Sequence, residues 1–368
     1  MHPALRGSIE IPPKRAESMV DLKIAIIPGD GIGVEVTAAA WEVSLAAAAA
    51  CDVNLAATAF PWSCDHYLET GAMMPADGIE TLRDFDAILL GAIGWPAKVT
   101  DDISLHELLL RIRKEFDLYA NVRPHKLLPG VTGPLRAENI DILCIRENTE
   151  GEYSGAGGRV HRGTAEEIAV ETSVFTRHGV ERILRYGFEM ARKRRKQLAS
   201  VTKSNAQRHS MVFWDDVTRQ LSAEYPDVEV RSYHVDAIAA RMIMFPETLD
   251  VVVASNLFGD ILSDIGAAIQ GGLGFAASAN IDPIGRSPSM FEPVHGSAPD
   301  IAGKDVANPI AAIWSAVMMF EHLGHTELAT TMSDAVARVC ARGIGGRSSG
   351  SSCGTRRITD EILLEITR

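Results

Sequence analysis

Apolar residues in this chain come in short bursts, and the polar residues around them follow two periods. "LKIAII" (Leu22–Ile27) is a nearly continuous apolar run of strand length. It breaks at the Gly-rich turn "PGDGIG" (Pro28–Gly33), and "VEVTAAAWEVSLAAAAA" after it reads as a helix. Short buried-strand patterns recur at 85–94, 140–148, 197–205, 227–236 and 249–260. Helical patterns lie at 104–116, 176–192, 211–224, 261–270 and 308–323. Strand and helix alternate, which predicts an α/β class. Most of these strands end in polar or Gly-rich residues, where α/β sheets place their sites. Order is expected to begin near Leu22, with residues 1–21 a flexible tail: Arg6, Lys14 and Arg15 are basic, but no apolar stretch makes a secretory signal. The Gly/Ser-rich basic segment Arg342–Arg357 reads as a flexible loop between two helices. No internal repeat is visible.

Composition narrows the class. Of 368 residues 46% are hydrophobic, enough to bury two or three domains' worth of core. Charged residues at 23% match a globular chain and exclude bulk disorder. A formal charge of −12 argues against non-specific nucleic-acid binding, yet a local basic pocket for a small anion remains compatible with it. The five cysteines (Cys51, Cys64, Cys144, Cys340, Cys353) are scattered, with no CxxC. They imply reduced thiols in a cytoplasmic protein rather than a disulfide framework. No run approaches the ~18 apolar residues of a membrane span.

Several residues could carry chemistry. In "NLFGDILSDIGAAI" (Asn256–Ile269), Asp260 and Asp264 stand four apart, on one face if the segment is helical. Either Asp260 caps the helix, or the two carboxylates, with Asp236, hold a hard divalent cation. Arg111, Arg113 and Arg123 in "RIRKEFDLYANVRP", and Arg146 in "CIRENTEGEYSG", are candidate carboxylate forks or members of a solvated basic face. Tyr153 could serve as a general acid or simply pack; Lys203 in "VTKSN" could be a base or a solvated lysine. "PGDGIG" fails the dinucleotide fingerprint, because the third glycine's place is taken by Val34. The long loop "FEPVHGSAPDIAGKDVANP" (Phe291–Pro309), with His295 inside it, has the length and composition of a functional loop.

Together and in this order, "PGDGIG", "RKEFDLYANVRP", "RENTEGEYSG", "TKSN", "NLFGDILSD" and "FEPVHGSAPDIAGKDVANP" resemble the β-decarboxylating 2-hydroxyacid dehydrogenases, the isocitrate/isopropylmalate dehydrogenase family, from about Lys23 to about Leu323. The resemblance implies a two-domain α/β fold with mixed sheets flanked by helices, not a Rossmann fold. It implies a large cofactor domain (22–118 plus 271–368) and a smaller dimerisation and metal/substrate domain (119–270). By the same resemblance Arg113, Arg123 and Arg146 clamp substrate carboxylates. Asp236, Asp260 and Asp264 bind Mg²⁺ or Mn²⁺, Lys203 relays the hydroxyl proton, and Tyr153 protonates the enol carbon after CO₂ leaves. Lys203 and Asp236 reach in from a neighbouring subunit, so a homodimer is implied. NAD would lie along His295, Gly296, Ser297, Ala298, Asp300, Ile301 and Asn308, with Glu292 just before this loop and Ile32 in the first Gly-rich turn. Asp300 followed by Ile301 fits NAD, since a carboxylate suits a ribose 2′-hydroxyl and repels a 2′-phosphate. A monovalent cation such as K⁺ is a further candidate.

Within the family, "GAIGWP", "DDISL" and "KSNAQRHSM" look most like the tartrate/D-malate dehydrogenase branch. Its substrate is a small 2-hydroxy di-acid. The segment before Arg113 faces the substrate's variable arm, and here it offers His106, Leu109 and Leu110. The leucines resemble those of 3-isopropylmalate dehydrogenases, which carry Glu where His106 stands, whereas the tartrate/D-malate branch usually carries Trp there. 3-Isopropylmalate oxidation, or a non-catalytic regulatory subunit, are the alternatives. At 342–357 only Gly354-Thr355 of the family's usual "GTAxT" pattern is kept.

Overall fold

Period-two alternation along each strand decides which side of a sheet it feeds. The computed structural model describes residues 21–137, 139–346 and 353–368. Among these the strands are β1 Asp21–Gly29, β2 Asn54–Ala59, β3 Ala87–Ala92, β4 Ala120–Lys126, β5 Asp141–Glu147, β6 Gly151–Val160, β7 Ile168–Val174, β8 Gln197–Thr202, β9 Glu229–His234, β10 Val251–Ala254, β11 Ala277–Ile281 and β12 Ser289–Pro293. Ten of them form one sheet in the order β2-β1-β3-β12-β11-β4-β5-β10-β8-β9, and β6 pairs with β7 alone. The wings of the large sheet are parallel. Its centre, β12-β11-β4-β5, is antiparallel. This mixed sheet is not the all-parallel doubly wound arrangement, in line with the failed fingerprint at Gly29–Val34.

Helices cover both faces. In β3, Ala87 and Leu89 enter one apolar cluster while Ile88 and Leu90 enter another. In β10, Val251 and Val253 face that first cluster, and Val252 and Ala254 a third. Each fully buried aliphatic side chain contributes about 1.5–3 kcal/mol, so the alternation fixes the register. The expected boundary between domains falls at the β11–β4 pairing, where the sheet continues unbroken.

The strands expected near 85–94, 140–148, 197–205 and 227–236 are β3, β5, β8 and β9. The strand expected over 249–260 stops at Ala254, and the helix Asn256–Ile269 starts five residues before Ile261. Asp260 therefore lies one turn inside that helix and does not cap it, because the apolar spacing from Leu257 already follows the helical period. The helix expected over 104–116 is three pieces: Asp101–Ser104, a π turn Leu105–Leu109, and Leu110–Glu115. Such π turns recur at functional sites. Of the expected tail only Asp21 lies among the described residues. Of the expected loop at 342–357, residues 347–352 lie outside them, and Thr355 already opens the helix Thr355–Ile366.

Candidate active site

The antiparallel centre of the sheet brings three arginines to one cavity of ≈ 800 Å³. Arg113 arrives from the helix after the π turn, Arg123 from β4 and Arg146 from the end of β5. All three are buried. Arg113 Nη2 donates to Glu292 Oε1 at 2.5 Å. Arg123 Nη1 donates to Ser263 Oγ at 2.7 Å and reaches Asp260 Oδ1 at 3.5 Å. Arg146 donates from Nε and Nη2 to Asn256 Oδ1 (2.9 and 2.7 Å) and from Nη1 to Asp260 Oδ1. The Nε atoms of Arg113 and Arg123 are buried without a partner. Burial first, then mutual repulsion, pulls the Arg146 guanidinium well below its ordinary pKa. Three guanidinium groups thus face two carboxylates, a cluster that attracts an anion with more than one carboxylate.

Asp260 lines the cavity and Asp264 follows one turn later at the exposed edge of the helix. Partial desolvation raises the Asp264 carboxyl against the pull of Arg123, and the Asp260 charge adds to the rise. Tyr153, from the start of β6, also lines the cavity and lies with its ring 5.6 Å from the Arg146 guanidinium. Desolvation, then the Asp260 charge, raises its phenol pKa. Lys203 and Asp236 are not brought here. Lys203 Nζ pairs with Asp236 Oδ1 at 2.5 Å, and neither residue lines the cavity. Among the described residues of this single chain, no three His, Cys, Asp or Glu side chains are grouped to hold a metal.

One wall of the cavity is aliphatic with a single imidazole: Leu105, His106, Leu109 and Leu110 from the π turn and its exit. On another side stand Glu292, His295 and Gly296. Burial lowers the His295 pKa, and its Nε2 is buried without a partner. Ser297 Oγ donates to Gly94 O, and Ser297 O accepts from Ile32 N at 2.7 Å. Gly31 has φ +56°, and a Cβ there would stand 2.0 Å from Ser297 O, so only glycine permits this contact. The "PGDGIG" turn therefore braces the 295–301 loop from behind: Asp30 accepts from Cys64 N and Gly94 N, both at 2.9 Å. Ala298 turns the loop at φ +36°. Asp300 is exposed and Ile301 half-buried. The loop's far end is pinned by the C-terminal segment. Asp305 Oδ1 accepts from Arg356 N (2.7 Å), Ala307 O from Thr355 Oγ1 (2.6 Å), and Asn308 Nδ2 donates to Gly345 O (3.2 Å).

Sequence reasoning missed the polar floor. Asn280 Nδ2 donates to the same Glu292 Oε1 at 2.7 Å, and its Oδ1 accepts from Asn121 (2.9 Å) and Asn148 (3.0 Å). Glu292, assigned by resemblance to the cofactor, is thus also the counter-charge of Arg113. Glu152 was missed as well, although it stands next to Tyr153 in a quoted motif; its carboxylate accepts from Ser255 Oγ (2.8 Å) and Leu257 N (3.1 Å). Among the described residues no helix is long and apolar enough to cross a membrane.

Comparison with known proteins agrees with the geometry. The family model described as isocitrate/isopropylmalate dehydrogenase matches residues 23–362. A probable tartrate dehydrogenase/decarboxylase of Bacillus subtilis (strain 168) is 53% identical, over 95% of this chain and 99% of the relative. The D-malate dehydrogenase [decarboxylating] of Escherichia coli (strain K12) is 52% identical, over 83% and 86%. The crystal structure of isocitrate dehydrogenase from Methylococcus capsulatus superposes with a TM-score of 0.84 at 34% identity, covering 94% of this chain and all of that one.

Proposed function

The chain belongs to the isocitrate/isopropylmalate dehydrogenase family, and from that premise we propose that it oxidises D-malate or tartrate, with NAD accepting hydride and Mg²⁺ or Mn²⁺ as activating cation. D-malate would leave as pyruvate and CO₂. The observation that carries this reading is the convergence of Arg113, Arg123 and Arg146 beside Asp260 in one cavity. The relatives whose names mention tartrate and D-malate support the substrate class.

The donor chemistry suits a hard cation: Asp260 and Asp264 offer carboxylate oxygens from adjacent turns, and Asp236 of a second copy would complete them. When bound, such a cation would supply Lewis acidity at the substrate's oxygen atoms. The residues of the chain do the rest. Arg113, Arg123 and Arg146 bind and orient the carboxylates. Lys203 of the second copy accepts the hydroxyl proton. Tyr153 returns a proton to the enol carbon. NAD supplies the hydride acceptor; the loop His295–Asn308 would hold it, with Asp300 exposed to meet a ribose hydroxyl. A homodimer is favoured by the apolar Ile243, Met244 and Phe245, which stand exposed at the C-terminal end of the helix Val235–Met244 that carries Asp236. The five free cysteines suit a cytoplasmic enzyme.

The test is NADH production from D-malate and from L-tartrate with Mn²⁺. Turnover on either supports the reading. No turnover on both, with robust turnover on 3-isopropylmalate, overturns the substrate assignment. Substrate binding without NADH at saturating metal overturns the enzymatic one.

A further inference from the structure

Tyr153 is 44% exposed; its phenol bonds the Asp260 side chain and its ring lies beside the guanidinium of Arg146, so both of these holds are at the side chain. A phenol that must meet one carbon atom needs a fixed backbone beneath it. The strand that carries it is fixed at the residue before. Glu152 turns its carboxylate away from the strand and onto the start of the helix Asn256–Ile269. Oε1 accepts from Ser255 Oγ at 2.8 Å and Oε2 from the backbone N–H of Leu257 at 3.1 Å. That N–H is one of the donors an α-helix leaves unpaired at its first turn, and a carboxylate there also meets the positive end of the helix dipole. Ser255, the helix's own cap residue, makes no capping bond with its side chain, so the role falls to Glu152. On the other side of Gly151, which turns at φ +80°, Glu150 O accepts from Asn256 Nδ2 at 3.0 Å. Asn256 in turn holds Arg146, and Arg146 holds Asp260 on the same helix.

We propose that Glu152 is the positioning residue for Tyr153: its two bonds lock the Tyr153 strand to the helix that carries Asp260 and Asp264, so that phenol and metal carboxylates keep one geometry. The inference rests on the proton-return role proposed above for Tyr153. Glu152 lines the same cavity, and each of its carboxylate oxygens accepts one bond from the start of the helix, from Ser255 and from Leu257.

The experiment compares Glu152→Ala, Glu152→Gln and Tyr153→Phe with the full-length parent, using D-malate, NAD and Mn²⁺. A displacement near 1 Å costs up to about 100-fold in rate, so Glu152→Ala is expected to lower kcat by roughly 10- to 100-fold. KM for D-malate should stay within about twofold, because the arginine clamp is untouched. The solvent deuterium isotope effect on kcat should rise as proton return becomes rate-limiting. Glu152→Gln keeps the length and one acceptor oxygen and should recover most of kcat. If Glu152→Ala folds poorly, Ser255→Ala removes one of the two bonds and should show the same pattern in smaller measure. With Tyr153→Phe impaired, a Glu152→Ala variant of parental kcat overturns the inference. So does a variant that loses melting temperature and KM together at an unchanged isotope effect, the mark of a plain helix cap. Tyr153→Phe with parental kcat overturns the proton-return role and this inference with it.

Discussion

His125 should make this protein lose stability as the pH falls, by an amount the structure sets. Its ring is fully buried in β4, and neither ring nitrogen has a hydrogen-bond partner. The ring packs against Gly266 so closely that a Cβ there would stand 2.4 Å from Cδ2, and Arg123 lies two residues away on the same face of the strand. Burial, and then the Arg123 charge, pushes the His125 pKa down from 6.5 to about 3. The sign follows from linkage. A histidine depressed in the folded state binds its proton first in the unfolded chain. Its contribution is therefore intact above about pH 7.5 and is lost as pH falls through 6.5 toward 3. With those two values the loss relative to pH 7.5 is ~2 kcal/mol at pH 5 and ~3 kcal/mol at pH 4. The assay is urea unfolding at pH 7.5, 6 and 5 for the parent and for His125→Leu, at one protein concentration. Glu147, whose burial raises its pKa to about 7, titrates in the same range with the opposite sign. Both proteins contain it, so the difference between them isolates His125. That difference should change by ~2 kcal/mol in favour of the variant between pH 7.5 and 5. Stability curves that run parallel would refute the account of a neutral, unpartnered imidazole.

The other predictions concern the site itself. Glu292→Ala strands the Arg113 guanidinium, whose side chain is 7% exposed, and should cost about 3–5 kcal/mol in urea unfolding, with Glu292→Gln losing less because it still accepts from Asn280. Mn²⁺ with substrate should raise the melting temperature of the parent and raise it much less in Asp264→Asn; equal shifts would remove Asp264 from the metal set. Mn²⁺ should also bind more tightly with D-malate present than alone, read by calorimetry, and an unchanged affinity would mean that cation and substrate ignore each other. Asp300→Lys should lower kcat/KM for NAD and raise it for NADP, and unchanged preference would mean that the exposed Asp300 does not meet the ribose.

How much of this was legible in the sequence depended on which face each strand shows. β3 and β10 are continuous apolar runs because both their faces are covered, and they were found. β4, "ANVRPHK", was missed although it is the strand that carries Arg123. It alternates, but Asn121, Arg123 and His125 lie on one face, with Ala120, Val122, Pro124 and Lys126 on the other. Its polar face meets the site and the floor beneath it rather than solvent, so the usual signature of a half-exposed strand stands for a buried one. The Pro124 ring weakens the pattern further, since proline is rare in a central strand. The arginines and aspartates were legible as residue types in known motifs. Their pairings were not, because Arg113 with Glu292 and Arg146 with Asn256 join segments 179 and 110 residues apart. The C-terminal stretch hid its part for the same reason: Gly345, Thr355 and Arg356 look unremarkable until the loop ending at Asn308 comes to rest on them.

The pairings also bear on how Asp260 can serve two partners. In the single chain its Oδ1 is taken by Arg146 and approached by Arg123, while Asp264, one turn on, is raised by desolvation and by Asp260 itself. A carboxylate so engaged is a poor ligand for a cation, since every guanidinium near it repels that cation in turn. A substrate with two carboxylates changes the balance. Each carboxylate that the arginines accept withdraws a positive charge from Asp260 and adds negative charge beside it. On the proposed reading, then, the anion that fits the arginine clamp is also what makes Asp260 and Asp264 available to Mg²⁺ or Mn²⁺. Metal and di-acid should enter as partners, and a mono-acid, leaving one guanidinium on Asp260, should recruit the cation less well.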